Sequence, residues 1–245
     1  MRDGSLGRFD VESLVGTAQQ ESLPVIICLW KRRERLLAIL QQLDAQTDGR
    51  PLRVMLWNNN AEDDTLYRSM LGSVELDGAV RSIEYVSSAV NVGGIGRFFL
   101  ARTVLQTGYT GHIVTLDDDQ DVSPTFIGDL LAAARPREIA GWWAWNYLDS
   151  HWRRTPTEPG ELADYVGTGG AIIDIDIVRS RSFFTRLPLR FLFLEDQWMC
   201  AYARGLDWNL RKVDTQIDFV LHETNQFLLM AKLKDEFRTY LLGGN

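Results

Sequence analysis

The stretch His112 to Pro124, HIVTLDDDQDVSP, sets Asp117, Asp118 and Asp119 directly behind four small or apolar residues, with Asp121 one residue further on. Side chains alternate along a strand, so Asp117 and Asp119 are expected on one face and Asp118 on the other. Two carboxylates on one face with no lysine beside them suit a hard divalent cation that takes oxygen ligands. A calcium loop would also use acids at 117, 119 and 121. It is excluded, because Val122 stands where that loop needs glycine, Gly128 where it needs a bidentate glutamate, and Pro124 interrupts it. A solvated acidic turn that favours the N-terminus of the following helix is the competing reading.

A second acidic pair, Glu195 and Asp196 in FLFLEDQWMC, follows an apolar run at the expected start of a helix. There it serves either as a capping pair favoured by the helix dipole or as carboxylates on a rigid mount. His222 in FVLHET follows an apolar stretch and, as a lone histidine, reads as a structural hydrogen-bonder. His112 and His151 read as a strand-start residue and a loop residue with no assigned role. Asn58 and Asn59 are good turn formers, and Asn91 opens a glycine-rich segment, NVGGIGR, that ends in Arg97. That segment lacks the Gly-Lys-Ser/Thr ending of a Walker loop and the full dinucleotide fingerprint. Trp142, Trp143 and Trp145 read as core ahead of site, although an aromatic face can also offer apolar area to a ligand. Trp198 is read in the same way.

The elements that must position these residues alternate between strand and helix. PVIICLW, RVMLWNNN, SIEYVSS and HIVTLDDD read as strands. Each precedes a helical pattern, the last of which starts at Ser123 and Pro124 and continues into TFIGDLLAAARP. Four such units imply an α/β domain with a mostly parallel central sheet and helices on both faces. In such sheets ligands bind beyond the carboxyl ends of the strands. The polar ends at Asn58 to Asn60, at Asn91 with Gly93 and Gly94, and at Asp117 to Asp121 should therefore converge. Beyond residue 138 come two further strands, IAGWWAWNYL and YVGTGGAIIDIDIV, joined by a polar loop. A helix over LEDQWMCAYARGL, a short strand NLRKVD and a C-terminal helix follow.

The reading divides the chain into a polar lead-in (1–23), one domain (24–225) and a C-terminal helix (226–245). Phe227, Met230, Phe237 and Leu241 give that last helix an apolar stripe. It reads as a packing helix, with a membrane-surface or oligomer contact as the other use of such a face. The net charge of −7 argues against a nucleic-acid partner. No apolar run approaches the ~20 residues that span a bilayer. Cys28 and Cys200 form no CxxC and read as reduced core thiols of a cytoplasmic protein.

Taken in order, VIICLWKRRERL, LWNNN, NVGGIGRFFLAR, IVTLDDDQDVSP, GTGGAIIDIDIV and LEDQWMCAYAR resemble the family 2 type glycosyltransferases with the GT-A fold, over about residues 24 to 225. The resemblance implies a Rossmann-like nucleotide-sugar half (24–121) and an acceptor half (122–225). It implies a metal-dependent inverting transfer from a nucleotide-diphosphate sugar to a hydroxyl, in glycan biosynthesis. Asp117 and Asp118 would lie on the nucleotide-sugar side, and Asp119 would bind Mn2+ or Mg2+ with Asp117 and His222. Asp121 would help from outside. Asp196 would be the general base, with Glu195 orienting a sugar. Asn58, Asn59 and Asn91 would face the donor, and Arg97 its diphosphate oxygens. Gly167 to Gly170 would place backbone near a sugar. The acceptor would be a glycan, a lipid-linked or a small molecule, reached in the cytoplasm or at a membrane surface.

Leu29 to Arg32 depart from the family's usual residues after the first strand, which leaves the donor base open. A retaining transferase, a nucleotidyltransferase and a non-catalytic sugar-binding protein remain as alternatives. The nucleotidyltransferase is disfavoured because CLWKRRERL holds no glycine.

Overall fold

The structure is a computed structural model and describes residues 9–220 and 230–243. Its centre is an eight-stranded sheet, of which the first four chain-order strands after the edge set the frame: β2 (Leu23–Leu29), β3 (Leu52–Asn58), β4 (Val80–Ser87) and β5 (His112–Asp117). These four run parallel, in the order β4-β3-β2-β5. β2 is buried at every residue, as a strand covered on both faces must be.

Strand alternation splits its side chains. Val25, Ile27 and Leu29 pack with α1 (Leu36–Asp44), α2 (Asp64–Ser73) and α4 (Phe126–Ala133). Ile26 and Cys28 pack on the opposite side with α3 (Gly96–Gln106), α6 (Glu195–Arg204) and α7 (Ala231–Leu242). Both cysteines are buried and free.

The sheet is completed by β1 (Glu12–Gly16), antiparallel to β4 at one edge, and by β11 (Ala171–Asp174), β7 (Glu138–Gly141) and β12 (Asn209–Lys212) at the other. β11 runs antiparallel to both β5 and β7, while β12 is parallel to β7, so only β1 and β11 oppose the common direction. Part of the expected lead-in is thus an edge strand. It is held where Arg68 of α2 pairs with Glu12. α4 begins at Phe126 rather than at Ser123 and Pro124, because those residues form a turn whose Ser123 carbonyl accepts the Phe126 amide.

The segment expected as one strand, IAGWWAWNYL, is broken at Trp142 and Trp143. β8 (Ala144–Tyr147) leaves the main sheet and forms a smaller one with β9 (Arg154–Pro156) and β10 (Tyr165–Val166). A third pair joins β6 (Gln120–Val122) to β13 (Ile217–Phe219). α5 (Ser182–Thr185) is a short connector. No helix among the described residues is long and apolar enough to cross a membrane.

Candidate active site

From β2 the chain moves outward through β3 and β4, then crosses back to place β5 on the other side of β2. That reversal opens a crevice beyond the carboxyl ends of β2 and β5. Into it project Trp30 and Arg32, which follow β2, and Asp117 to Asp119, which end and follow β5. Two depressions meet there. One, of about 220 Å³, is lined by Trp30, Arg32, Asn59, Asn91, Gly93, Gly94, Arg97, Asp117, Asp118, Asp119 and Glu195 among others. The other, of about 320 Å³, is lined by Asp117, Asp119, Gln120, Trp143, Trp145, His151, Trp152, Arg154, Tyr165, Gly167 to Gly169, Asp196, Phe219 and Lys234. Asp117 and Asp119 belong to both.

The three aspartates part company as alternation suggests, although Asp118 and Asp119 sit in a turn after the last β5 residue rather than in the strand. Asp118 turns toward the β2 end, where it accepts the Trp30 amide at 2.7 Å and pairs with Arg32. Burial pushes its carboxyl up, to about 7, while Arg32 pulls the other way. Its aspartate neighbours hold the Arg32 guanidinium more firmly protonated, so the ionised pair is the form this geometry supports. Arg32 also lies 3.1 Å from Asp119. Burial and the charge of Asp117 raise Asp119 to about 6.

Asp117 is bound by Arg97, Nη2 to Oδ1 at 2.8 Å. Arginines therefore offset the acidic repulsion that the sequence left unanswered: Arg32, Arg97 and, on Asp121, Arg35. Asp121, expected as an outer helper, lines neither depression and holds α1 through Arg35 and Gln42.

Arg97 is the hub. Buried at the start of α3, it donates to the carbonyls of Gly94 and Thr168, pairs with Asp117, and lies 3.9 Å from Glu195. Its charge is already engaged, so the expected diphosphate contact would have to share it. Glu195 occupies the space beside Gly94: a Cβ there would stand 1.7 Å from the Glu195 Oε1. Burial raises the Glu195 carboxyl to about 8, against the pull of Arg97. Asp196, next on α6, faces the larger cavity. It accepts the Tyr165 hydroxyl and the Gln197 amide, and Lys234 lies 4.0 Å away. Glu195 and Asp196 thus point into different depressions from one helix start.

Asn58 is not brought to the crevice; it is fully buried and bonds Tyr85 and the Asn60 backbone, as a turn former does. Asn59 lines the smaller depression, but its amide holds Trp57, Val92 and Gly93. Asn91 closes its own turn on the Gly93 amide. Gly169 fits against the Asp117 carboxylate, where a Cβ would stand 2.5 Å from Oδ2. His222 lies outside the described residues. Trp143 and Trp145, read as core ahead of site, line the larger cavity, whereas Trp198 is buried in the core and Trp142, partly buried, packs against it. Both sides of the crevice are thus furnished by long-range packing.

Residues that sequence reasoning passed over include Arg32, Tyr165, Gln197, Lys234 and His151. His151 is buried among Trp145, Trp152 and Tyr165, with Nδ1 2.8 Å from the Gln197 amide nitrogen. Burial and Lys234 lower its imidazole to about 4, so it is neutral. Only Arg32 had a local signal, its place right after the first parallel strand.

Among the described residues no three His, Cys, Asp or Glu gather to hold an ion. The acceptor-only oxygens of Asp117 and Asp119 at the shared edge still suit a hard cation, provided that further oxygens come from a bound diphosphate.

No family model matches the sequence, and no curated protein matches it. Solved structures do. S. aureus TarS superposes with a TM-score of 0.52 at 13% identity, over 90% of this chain and 42% of that one. GalNAc-T7 with UDP, GalNAc and Mn2+ gives a TM-score of 0.55 at 12% identity, over 81% of this chain and 44% of the other. Residues 1–349 of TarS in complex with UDP give 0.49 at 14% identity, over 78% and 57%. The chain therefore spans at most 57% of the length of these structures. The strand order, the crevice at its reversal and the superpositions on full-length TarS and GalNAc-T7 agree: the chain has the GT-A type glycosyltransferase fold.

Proposed function

We propose that this chain is a family 2 type inverting glycosyltransferase that moves a sugar from a nucleoside-diphosphate donor to an acceptor hydroxyl. The observation that carries the reading is the meeting of two depressions on Asp117 and Asp119, with Glu195 and Asp196 facing one each from a single helix start. The smaller depression takes the nucleotide, with Asn59, Asn91 and Asp118 shaping it, and the larger takes the sugars. Asp196 removes the proton from the acceptor hydroxyl. That oxygen bonds the anomeric carbon as the bond from that carbon to the diphosphate oxygen breaks, and the nucleoside diphosphate leaves with the electron pair. Tyr165 fixes the orientation of Asp196, and Arg97 fixes Asp117 and Glu195 relative to each other. Asp119 and Asp117, with His222, would hold Mn2+ or Mg2+. A bound cation supplies charge neutralisation on the leaving diphosphate.

Thermal-shift measurements with UDP-, dTDP- and GDP-sugars, with and without Mn2+, test the reading. Stabilisation by one nucleotide class is expected, with a Mn2+-dependent part that Asp119→Asn removes. An absence of nucleotide stabilisation would sink it. The anomeric configuration of the product separates inversion from retention. Asp196→Asn separates a transferase from a sugar-binding protein, since only the former loses turnover while keeping donor binding.

A further inference from the structure

The larger cavity contains an arginine that the proposed chemistry does not use. Arg154, on β9, lays its guanidinium on the face of Trp145 at 3.6 Å from the ring centre and reaches toward Trp143 at 5.8 Å. The carboxylates lining this cavity are partnered: Asp117 by Arg97, Asp119 by Arg32, and Asp196 by Tyr165 and Lys234. Arg154 forms no ion pair and donates no side-chain hydrogen bond among the described residues. Burial acts on its charge, and only the phenols of Tyr165 and Tyr147 oppose that effect. A half-buried cation in an acidic protein is costly unless something pairs it.

Its position is fixed by the fold. β8 pairs with β9 and β10, which stacks Tyr165 on one face of Trp145 at 4.2 Å and leaves Arg154 on the other. Tyr165 in turn holds Asp196. The unpaired guanidinium thus stands two stacking layers from the proposed base, along one wall of one cavity. Its planar fork suits bidentate recognition of a carboxylate or phosphate, and the half-exposed Trp143 beside it offers a sugar ring an apolar face.

Resting on the transferase reading above, we infer that the acceptor is an anionic saccharide, whose phosphate or carboxylate pairs with Arg154 while its hydroxyl faces Asp196. A neutral acceptor would leave the guanidinium without an anionic partner in the occupied cavity.

The test uses tryptophan fluorescence of the whole protein with UDP present, titrated with glucose 6-phosphate, glucuronate and glucose. At least one anionic sugar is expected to bind about tenfold or more tightly than glucose; which one does so tells phosphate from carboxylate. Arg154→Gln should abolish that preference and Arg154→Lys should keep part of it, with both variants checked for folding by near-UV circular dichroism. Equal affinities for charged and neutral sugars, or a preference that survives Arg154→Gln, overturns the inference. UDP stabilisation, measured separately, reports on the transferase reading. A protein that binds UDP without discriminating charge loses only this inference.

Discussion

At the scale of single residues, the site depends on carboxylates whose directions are set by other side chains. Asp196→Asn should lower the proposed transfer by about a hundredfold or more with donor affinity retained, because it removes the proposed proton acceptor while keeping the shape. Transfer and donor-binding assays on one preparation check this. Tyr165→Phe deletes only the hydroxyl that orients Asp196. A loss of about tenfold in turnover is expected, with little change in donor Kd. Gly94→Ala is the steric counterpart. Its new methyl would stand 1.7 Å from the Glu195 Oε1, so Glu195 must move, and a destabilisation of about 1–3 kcal/mol should appear in chemical denaturation.

Glu195 also sets a pH dependence. Folding favours its protonated form, raising it from an ordinary 4.5 to about 8. Its contribution is fully present below the lower value and is lost as pH climbs to the upper one. Melting temperatures across that window should fall more steeply for the native protein than for Glu195→Gln; parallel curves would refute the assignment.

At the scale of elements, the crevice exists because helices clamp the sheet from both sides. α7 does so through Phe237, fully buried and stacked on Phe191 with ring centres 4.2 Å apart. The apolar stripe of the C-terminal segment is therefore occupied by packing within the chain, as Met230 and Leu241 also show, while Phe227 lies outside the described residues. Phe237→Ala should cost about 3–5 kcal/mol, measurable in urea. The same helix carries Lys234 to the Asp196 cavity, so a turnover loss exceeding the stability loss would show that α7 also positions that cation. Asp44, at the end of α1, accepts the amides of Asp77, Gly78 and Val80 just ahead of β4. The tight start of that strand is thus tied to a helix on the sheet face.

At the scale of the molecule, His151 works against the buried acids at low pH. Burial depresses its imidazole from 6.5 to about 4, so the unfolded chain takes up that proton first and the contribution of this one residue is lost as pH falls through this window. His151→Gln should flatten the acid limb of the melting curve. Chelation gives a second global readout: EDTA should lower nucleotide-dependent stabilisation and leave the melting temperature of the free protein nearly unchanged, since arginines already balance the acids.

The sequence alone determined the alternation of buried strands with amphipathic helices, and through it the parallel sheet. It also set the convergence of the ends of β3, β4 and β5, because strand order in such folds follows local patterns and short connections. Asp117 to Asp119 and the Glu195–Asp196 pair were legible as candidates for chemistry for the same reason: their spacing within one strand end or one helix start is local. Only the tertiary structure decided that Asn58 turns inward, that Arg32 and Arg97 neutralise the aspartates, and that the break at Trp142 directs Trp143 and Trp145 into a cavity with Arg154. Those outcomes join residues far apart in the chain, Tyr165 with Asp196 and Lys234 with Trp152. Such pairings are set by how the packed layers meet, which no local spacing encodes.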